Sequence, residues 1–291
     1  MEHLRDLARR LQGTRIGDVV LPFTVLTRLD SVLVDTKQAV LGIKATSVPT
    51  QIKELQYAKA TGYPFWNTSN FTLKTLLNAP DNLEQNLTYY VQAFAPAARE
   101  VMEAYNFYTV IERLDKANLL YHVLSEFTSA KVNLHPDAVS NDQMGYIFEE
   151  LIRRFSELSN ETAGEHFTPR EVISLMVNLL FNPEEDINRL CADGAMASLY
   201  DPGAGTIAAQ HVDDLNETAR LEVYGQELNP QSYAVAKSDI MIKGERQERI
   251  YFGNSLTNDK TAGMRFDYML CNHWLSLLIR DNGVCEYAVA A

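Results

Sequence analysis

Three strand ends in the second half of the chain carry polar side chains whose types and spacing suit them to ligand binding. Asp201-Pro202-Gly203-Ala204-Gly205-Thr206 follows a short β-prone stretch. In a doubly wound sheet, ligands bind outside the carboxyl ends of the strands, and glycines there let the backbone approach a ligand closely. Asp201 ends its strand where a carboxylate can hold an ammonium or amide group. Glu227, within Gly225-Gln226-Glu227-Leu228-Asn229, ends the next strand. An acidic residue roughly 20 or more positions beyond such a loop is placed for ribose hydroxyls. Gly253-Asn254-Ser255 ends a third strand, where an adenine ring can be held, and Asn272 closes a fourth. Each has a plainer reading taken singly: a capped turn, a charge at a helix start, a polar strand end. Asp, Glu and Asn in order at successive strand ends point to an adenosine-containing cofactor over a phosphate-only ligand.

Strands over 198–200, 221–224, 250–252 and 266–271 must position these residues, and helical segments alternate with them. That alternation predicts a parallel sheet covered on both faces. Asn229-Pro230 opens the clearest helix, which closes near Lys243 with Gly244 as its C-cap. Ser140-Asn141-Asp142-Gln143 is a capping box, in which a Ser oxygen and a Gln three residues on satisfy each other's backbone amides. Behind it Met144, Ile147, Phe148, Leu151, Ile152, Phe155 and Leu158 form one apolar helix face. Thr168-Pro169-Arg170-Glu171 opens another helix, with Phe167 stapled to Val172. Upstream, 19–33 and 83–127 carry helical apolar spacing. Turn chemistry interrupts the chain at Gly62-Tyr63-Pro64, Asn78-Ala79-Pro80 and His135-Pro136-Asp137. The expected division is a helical domain over 1–136 and an α/β domain over 137–291.

With 46% hydrophobic and 22% charged residues, the 291-residue chain is neither disordered nor collagen-like. No apolar run has membrane-spanning length, and the first ten residues hold no signal-peptide core. Cys191, Cys271 and Cys285 lack metal-ligand or redox spacing. A cytoplasmic protein with no metal site and no membrane contact is expected. Its 38 acidic against 26 basic residues give a net charge of −12. Phosphate binding needs clustered cations, so the chain alone is expected to bind DNA weakly and without sequence preference.

The chain from Val19 to Asn272 resembles the modification subunit of type I restriction–modification systems, the adenine-specific N6 DNA methyltransferases. The resemblance is carried by Leu21-Pro22-Phe23-Thr24-Val25-Leu26, Arg113-Leu114-Asp115-Lys116-Ala117-Asn118-Leu119 and Gly145-Tyr146-Ile147-Phe148-Glu149. It continues through Gly164-Glu165-His166-Phe167-Thr168-Pro169-Arg170-Glu171, Asp201-Pro202 and Gly225-Gln226-Glu227-Leu228-Asn229-Pro230. It implies an α-helical N-terminal domain followed by a Rossmann-like α/β methyltransferase core, incomplete at the C-terminus. It also implies S-adenosylmethionine as cofactor, with a specificity subunit and a restriction subunit as partners. By the same resemblance, Glu165, His166, Phe167, Thr168 and Pro169 lie at the cofactor's methionine end. Asp201, Gly203, Gly205 and Thr206 form the first-strand loop, Glu227 takes the ribose hydroxyls, and Asn254 lies near the adenine. Asn272 becomes the catalytic residue, accepting hydrogen bonds from the amino group of a flipped target adenine.

Two segments depart from the family's pattern. Ile207-Ala208-Ala209-Gln210 stands where the family has a Gly pair, and Asn272 is followed by His273-Trp274 in place of Pro-Pro-aromatic. The chain ends at Ala291 where the family continues. The alternative expectation is therefore a catalytically inactive, truncated remnant or scaffold that keeps its partner-binding surfaces.

Overall fold

A computed structural model describes residues 16–159, 170–180, 196–201, 220–244 and 247–270. Helix α1 (Ile16–Leu33) is the axis of the helical part, with Phe23, Val25, Leu26 and Leu29 fully buried. A helix apolar all round must be enclosed on all sides, and its polar residues are satisfied internally. Thr24 and Thr27 donate through Oγ1 to the carbonyls of Val20 and Phe23, at 2.7 and 2.8 Å.

Helix α1 is followed by α2 (Lys37–Lys44), α3 (Thr50–Thr61), α4 (Leu73–Leu76), α5 (Leu83–Gln92), α6 (Pro96–Ala104), α7 (Phe107–Lys116) and α8 (Leu120–Phe127), of which α7 and α8 pack against it. The helical spacing read over 83–127 resolves into four short helices. Pro96 starts α6 at its first turn, and Asn106 and Asn118 adopt left-handed φ values of 53° and 54° at the two later breaks. Asn tolerates that conformation better than most residues because its short side chain bonds locally. Helix α9 (Asn141–Ser159) begins at the capping box: Ser140 N donates to Gln143 Oε1 at 2.9 Å, and Gln143 N to Ser140 Oγ at 3.2 Å.

Charged side chains are among the groups buried inside this bundle. Arg28 is fully enclosed, and its guanidinium donates to the carbonyls of Leu134 (2.6 Å) and Val139 (2.8 Å) and to Asn141 Oδ1 (2.8 Å). It fastens the segment that leads into α9. Elsewhere Lys37 Nζ donates to Asn67 Oδ1 at 3.0 Å, and Tyr90 Oη donates to Asp30 Oδ1 at 2.5 Å.

Helix α10 (Arg170–Leu180) precedes strand β1 (Met196–Asp201), followed by β2 (Arg220–Glu227), helix α11 (Pro230–Ile242), β3 (Ile250–Phe252) and β4 (Tyr268–Met269). The described strands hydrogen-bond in the order β3-β2-β1-β4. β1 runs parallel to β2 from Met196 opposite Arg220 to Asp201 opposite Gly225, and parallel to β4 with Leu199 opposite Tyr268. The expected parallel α/β arrangement is present, and all four expected strands fall where the sequence put them.

By compactness the chain divides into two units that do not follow sequence order. One comprises Met1–Glu161 with Gln226–Lys260, the other Thr162–Gly225 with Thr261–Ala291. The core of the first includes Ala234, Met241 and Ile242 of α11 among the buried residues of the helical bundle. The core of the second is Val177 of α10 against Ala197, Leu199, Leu221, Val223, Tyr268 and Leu270. Asp267 pins β4 there by accepting at Oδ2 from Ser198 N (2.9 Å) and Ser198 Oγ (2.8 Å).

Candidate functional site

Asp201 is the last residue of β1, 6% exposed and level with Gly225 of the neighbouring strand. Its place at a strand's carboxyl end is the one read from the sequence.

Glu227 is the last residue of β2 and is half-buried. Its carboxylate turns toward the start of α11, where Oε1 accepts from Asn229 N at 2.7 Å. An ionised carboxylate has about four acceptor positions, so such an anchored group can still accept from a hydroxyl. Asn229 caps α11: its Oδ1 accepts from Gln231 N (2.8 Å) and Ser232 N (3.2 Å), which satisfies two of the helix's orphan amides. Helix α11 ends as expected, with Gly244 at a left-handed φ of 81° just beyond it.

The third strand delivers Asn254. Gly253 takes φ 139° and donates its N–H to the Glu227 carbonyl at 2.9 Å, which brings the end of β2 and the turn after β3 together. That backbone conformation is open to glycine and strained for other residues. Asn254 is half-buried, and its Oδ1 accepts from Leu256 N (2.8 Å) and Thr257 N (3.3 Å). With the side-chain oxygen accepting from its own loop, the other polar group of this side chain is an NH2 donor. A planar base edge presents acceptors suited to that group.

One residue that sequence reasoning passed over supports this loop. Gln226 is fully buried; its Nε2 donates to the Asn258 carbonyl at 2.9 Å and its Oε1 accepts from Lys260 N at 3.0 Å. It sits beside Glu227 in β2, but its partners lie more than 30 residues on, and no periodicity announces such a bond. Glu165, His166, Phe167, Thr168, Pro169, Gly203, Gly205, Thr206 and Asn272 lie outside the described residues.

A second missed cluster holds α11 to the helical bundle. Glu100 Oε1 on α6 accepts from Tyr233 Oη at 2.8 Å and pairs with Lys237 Nζ at 2.5 Å. The Lys237 side chain is 5% exposed and its ammonium lies 5.2 Å from the Tyr233 ring centroid. Burial acts to raise the Glu100 carboxyl, yet bonding to Lys237 and Tyr233 outweighs it and holds the group below its ordinary value. Burial, and then the bond to Glu100, push the Tyr233 hydroxyl well up. Beside this cluster opens a cavity of about 560 Å³, walled by Pro96, Glu100, Tyr233, Lys237, Phe252 and Lys260 among others. Asp201, Glu227 and Asn254 are not among its walls.

Among the described residues no group of three or more His, Cys, Asp or Glu could hold a metal, and no helix is long and apolar enough to cross a membrane.

Comparison with known proteins gives a consistent result along the chain. Residues 2–127 match the HsdM N-terminal domain and residues 139–279 match the N-6 DNA Methylase family. The type I restriction enzyme MjaIX methylase subunit of Methanocaldococcus jannaschii is 29% identical over 140 residues, 45% of this chain and 22% of that protein. The HindI methylase subunit of Haemophilus influenzae is 22% identical over 183 residues, 59% of this chain and 38% of that one. This chain thus spans well under half the length of either relative. In fold it is similar to the type I restriction-modification methyltransferase subunit of Streptococcus thermophilus, with a TM-score of 0.58 and 19% identity over 93% of this chain and 62% of that one.

Proposed function

We propose, from the match of residues 139–279 to the N-6 DNA Methylase family and of residues 2–127 to the HsdM N-terminal domain, that the chain is the adenine-specific modification subunit of a type I restriction–modification system. The observation that carries the reading is the end of β2. There a half-buried carboxylate, Glu227, is anchored by a backbone amide, and the adjoining turn after β3 carries Asn254 with its side-chain oxygen held by the turn's own amides. A vicinal diol next to a purine edge calls for an acceptor and a donor of that kind, so the pair suits the adenosine end of S-adenosylmethionine.

When bound, S-adenosylmethionine supplies a methyl group on a positively charged sulfur. In this reading Glu227 takes the ribose hydroxyls and Asn254 faces the adenine. Asp201, Gly203, Gly205 and Thr206 correspond to the family's first-strand loop. Glu165, His166, Phe167, Thr168 and Pro169 cover the methionine end, where the amides opening α10 suit a carboxylate. Asn272 accepts hydrogen bonds from the target amino group through its side-chain carbonyl, which orients the nitrogen lone pair for transfer, while Trp274 offers a stacking face. Target reading and much of the phosphate grip fall to a specificity subunit, in keeping with the net charge of −12, and a restriction subunit completes the assembly in the cytoplasm. The matched segments 2–127 and 139–279 support a functional division into 1–136 and 137–291.

Calorimetric titration of S-adenosylmethionine tests the site, and labelled methyl transfer to DNA with a specificity subunit present tests the activity. Saturable binding that Glu227→Ala weakens roughly tenfold or more is expected, the cost of about one charged hydrogen bond. A wild-type chain that does not bind refutes the reading. Absent binding favours the scaffold alternative, with Ile207-Ala208-Ala209 as its cause, whereas binding without transfer points to the His273-Trp274 departure.

A further inference from the structure

Glu227 is held by α11, and α11 has little to orient it by hydrophobicity alone. Tyr233, Ala234 and every residue from Ala236 to Ile242 are buried, among them the polar Lys237, Ser238 and Asp239. A helix with one apolar stripe is turned to its neighbours by that stripe; a helix buried all round is not. Specific polar contacts must set its rotation and its position along its axis.

Two such contacts come from the N-terminal helices. Gln231 donates through Nε2 to Asp18 Oδ1 on α1, and Glu100 on α6 receives both Tyr233 and Lys237. Tyr233 and Lys237 are four residues apart, so they share one face and grip a single carboxylate from successive turns. From there the path to the site is short. Tyr233 N donates to the Asn229 carbonyl at 2.9 Å, and Asn229 N donates to Glu227 Oε1 at 2.7 Å.

Stability does not account for the choice of groups. Burying the Lys237 ammonium is expensive, and its partner Glu100 is half exposed to solvent, which weakens the attraction that would repay that cost. What the pair provides is a fixed register.

We propose that Glu100 is a positioning residue for the cofactor's ribose: by clamping Tyr233 and Lys237 it sets the start of α11 and so the direction of the Glu227 carboxylate. This rests on the reading of Glu227 as the ribose-binding group. The HsdM-type helical region is then part of the cofactor site's framework as well as a platform for other subunits.

The test uses the full chain and the double variant Glu100→Gln/Lys237→Met. It removes both charges, leaves no buried ion unpaired, and keeps an acceptor for Tyr233. Two quantities are measured: hydrogen exchange at the Asn229 amide without ligand, and the calorimetric preference for S-adenosylhomocysteine over its 2′-deoxy counterpart. The expected result is a melting temperature close to wild type, faster exchange at Asn229, and a ribose preference reduced roughly tenfold. If the double variant does not fold, Glu100→Asp keeps the charge but shortens the arm, and must show the same two changes in weaker form. Wild-type exchange and wild-type preference in a folded variant overturn the proposal and leave the site reading intact. A wild-type chain with no ribose preference, or one indifferent to Glu227→Ala, overturns both.

Discussion

Replacing Arg28 with Met should be among the most damaging single changes in the helical unit. The guanidinium satisfies the carbonyls of Leu134 and Val139 and the side chain of Asn141 at 2.6 to 2.8 Å, in a fully buried position. Three hydrogen bonds from a charged donor are worth about 1.5–3 kcal/mol each, or about 5–9 kcal/mol gross. Against that stands the cost of burying the charge itself, several kcal/mol per ion after relaxation. Burial pulls the Arg28 pKa below its ordinary value, and Nε has no hydrogen-bond partner among the described residues, so that cost is not fully offset. The net loss in Arg28→Met should be about 3–5 kcal/mol, a large share of the 5–15 kcal/mol typical of a domain. It comes mainly from the orphaned carbonyls. Urea unfolding measures the total, and hydrogen exchange locates it. Ala138, Val139 and Met144, whose amides bond to His135 and Ser140 carbonyls in the fastened segment, should exchange fastest relative to wild type. Arg28→Lys should fall between, since one ammonium cannot span acceptors on three residues. A loss under about 1 kcal/mol in Arg28→Met would refute the view that this side chain holds the segment.

Burial lowers the Lys37 amine to about 8, with Asp30 acting to raise it and Lys44 to lower it further. Between that value and 10.5 the unfolded chain binds more protons than the folded one, so stability should rise with pH over that interval. The rise should be about 1–2 kcal/mol between pH 8 and pH 10, above which buried Tyr90, pushed up by burial and by Asp30, acts in the opposite sense. Lys37→Met should flatten the curve of melting temperature against pH in that window; an unchanged slope would show that the amine is charged throughout. Gly253→Ala should cost about 1–3 kcal/mol through its φ of 139° and speed exchange in the loop from Asn254 to Lys260, as read by thermal unfolding and hydrogen exchange.

Local signals carried much of this fold. The Ser140–Gln143 box, the Asn229 cap with Gly244 and the strand at Ile250–Phe252 are each decided by neighbours a few residues away, and each stands where the sequence put it. Asp201, Glu227 and Asn254 were legible for the same reason, since strand ends followed by Gly, Asn or Pro are local features. What escaped were bonds between distant positions. Arg28 is a lone cation within the apolar spacing of 19–33, and it closes on residues more than 100 positions away. Glu100 and Lys237 lie more than 130 positions apart, and their pairing depends on how α6 and α11 meet. Periodicity reports which face of an element is apolar but does not name the polar partner that fixes its register.

The discontinuous make-up of the first unit constrains how the chain reaches its native state. Ala234, Met241 and Ile242 belong to the same core as Leu26 and Leu114, so the helical bundle is not complete when its last helix leaves the ribosome. It must wait through more than sixty further residues, during which the surface that receives α11 stays open to solvent, to chaperones or to other nascent chains. Loop-closure entropy over that separation is modest, growing only logarithmically with length. The delay is therefore set by elongation rather than by the search. A ribosome-stalled chain ending before Gln226 would present a bundle lacking its last wall, whereas one extended past Lys260 could close it.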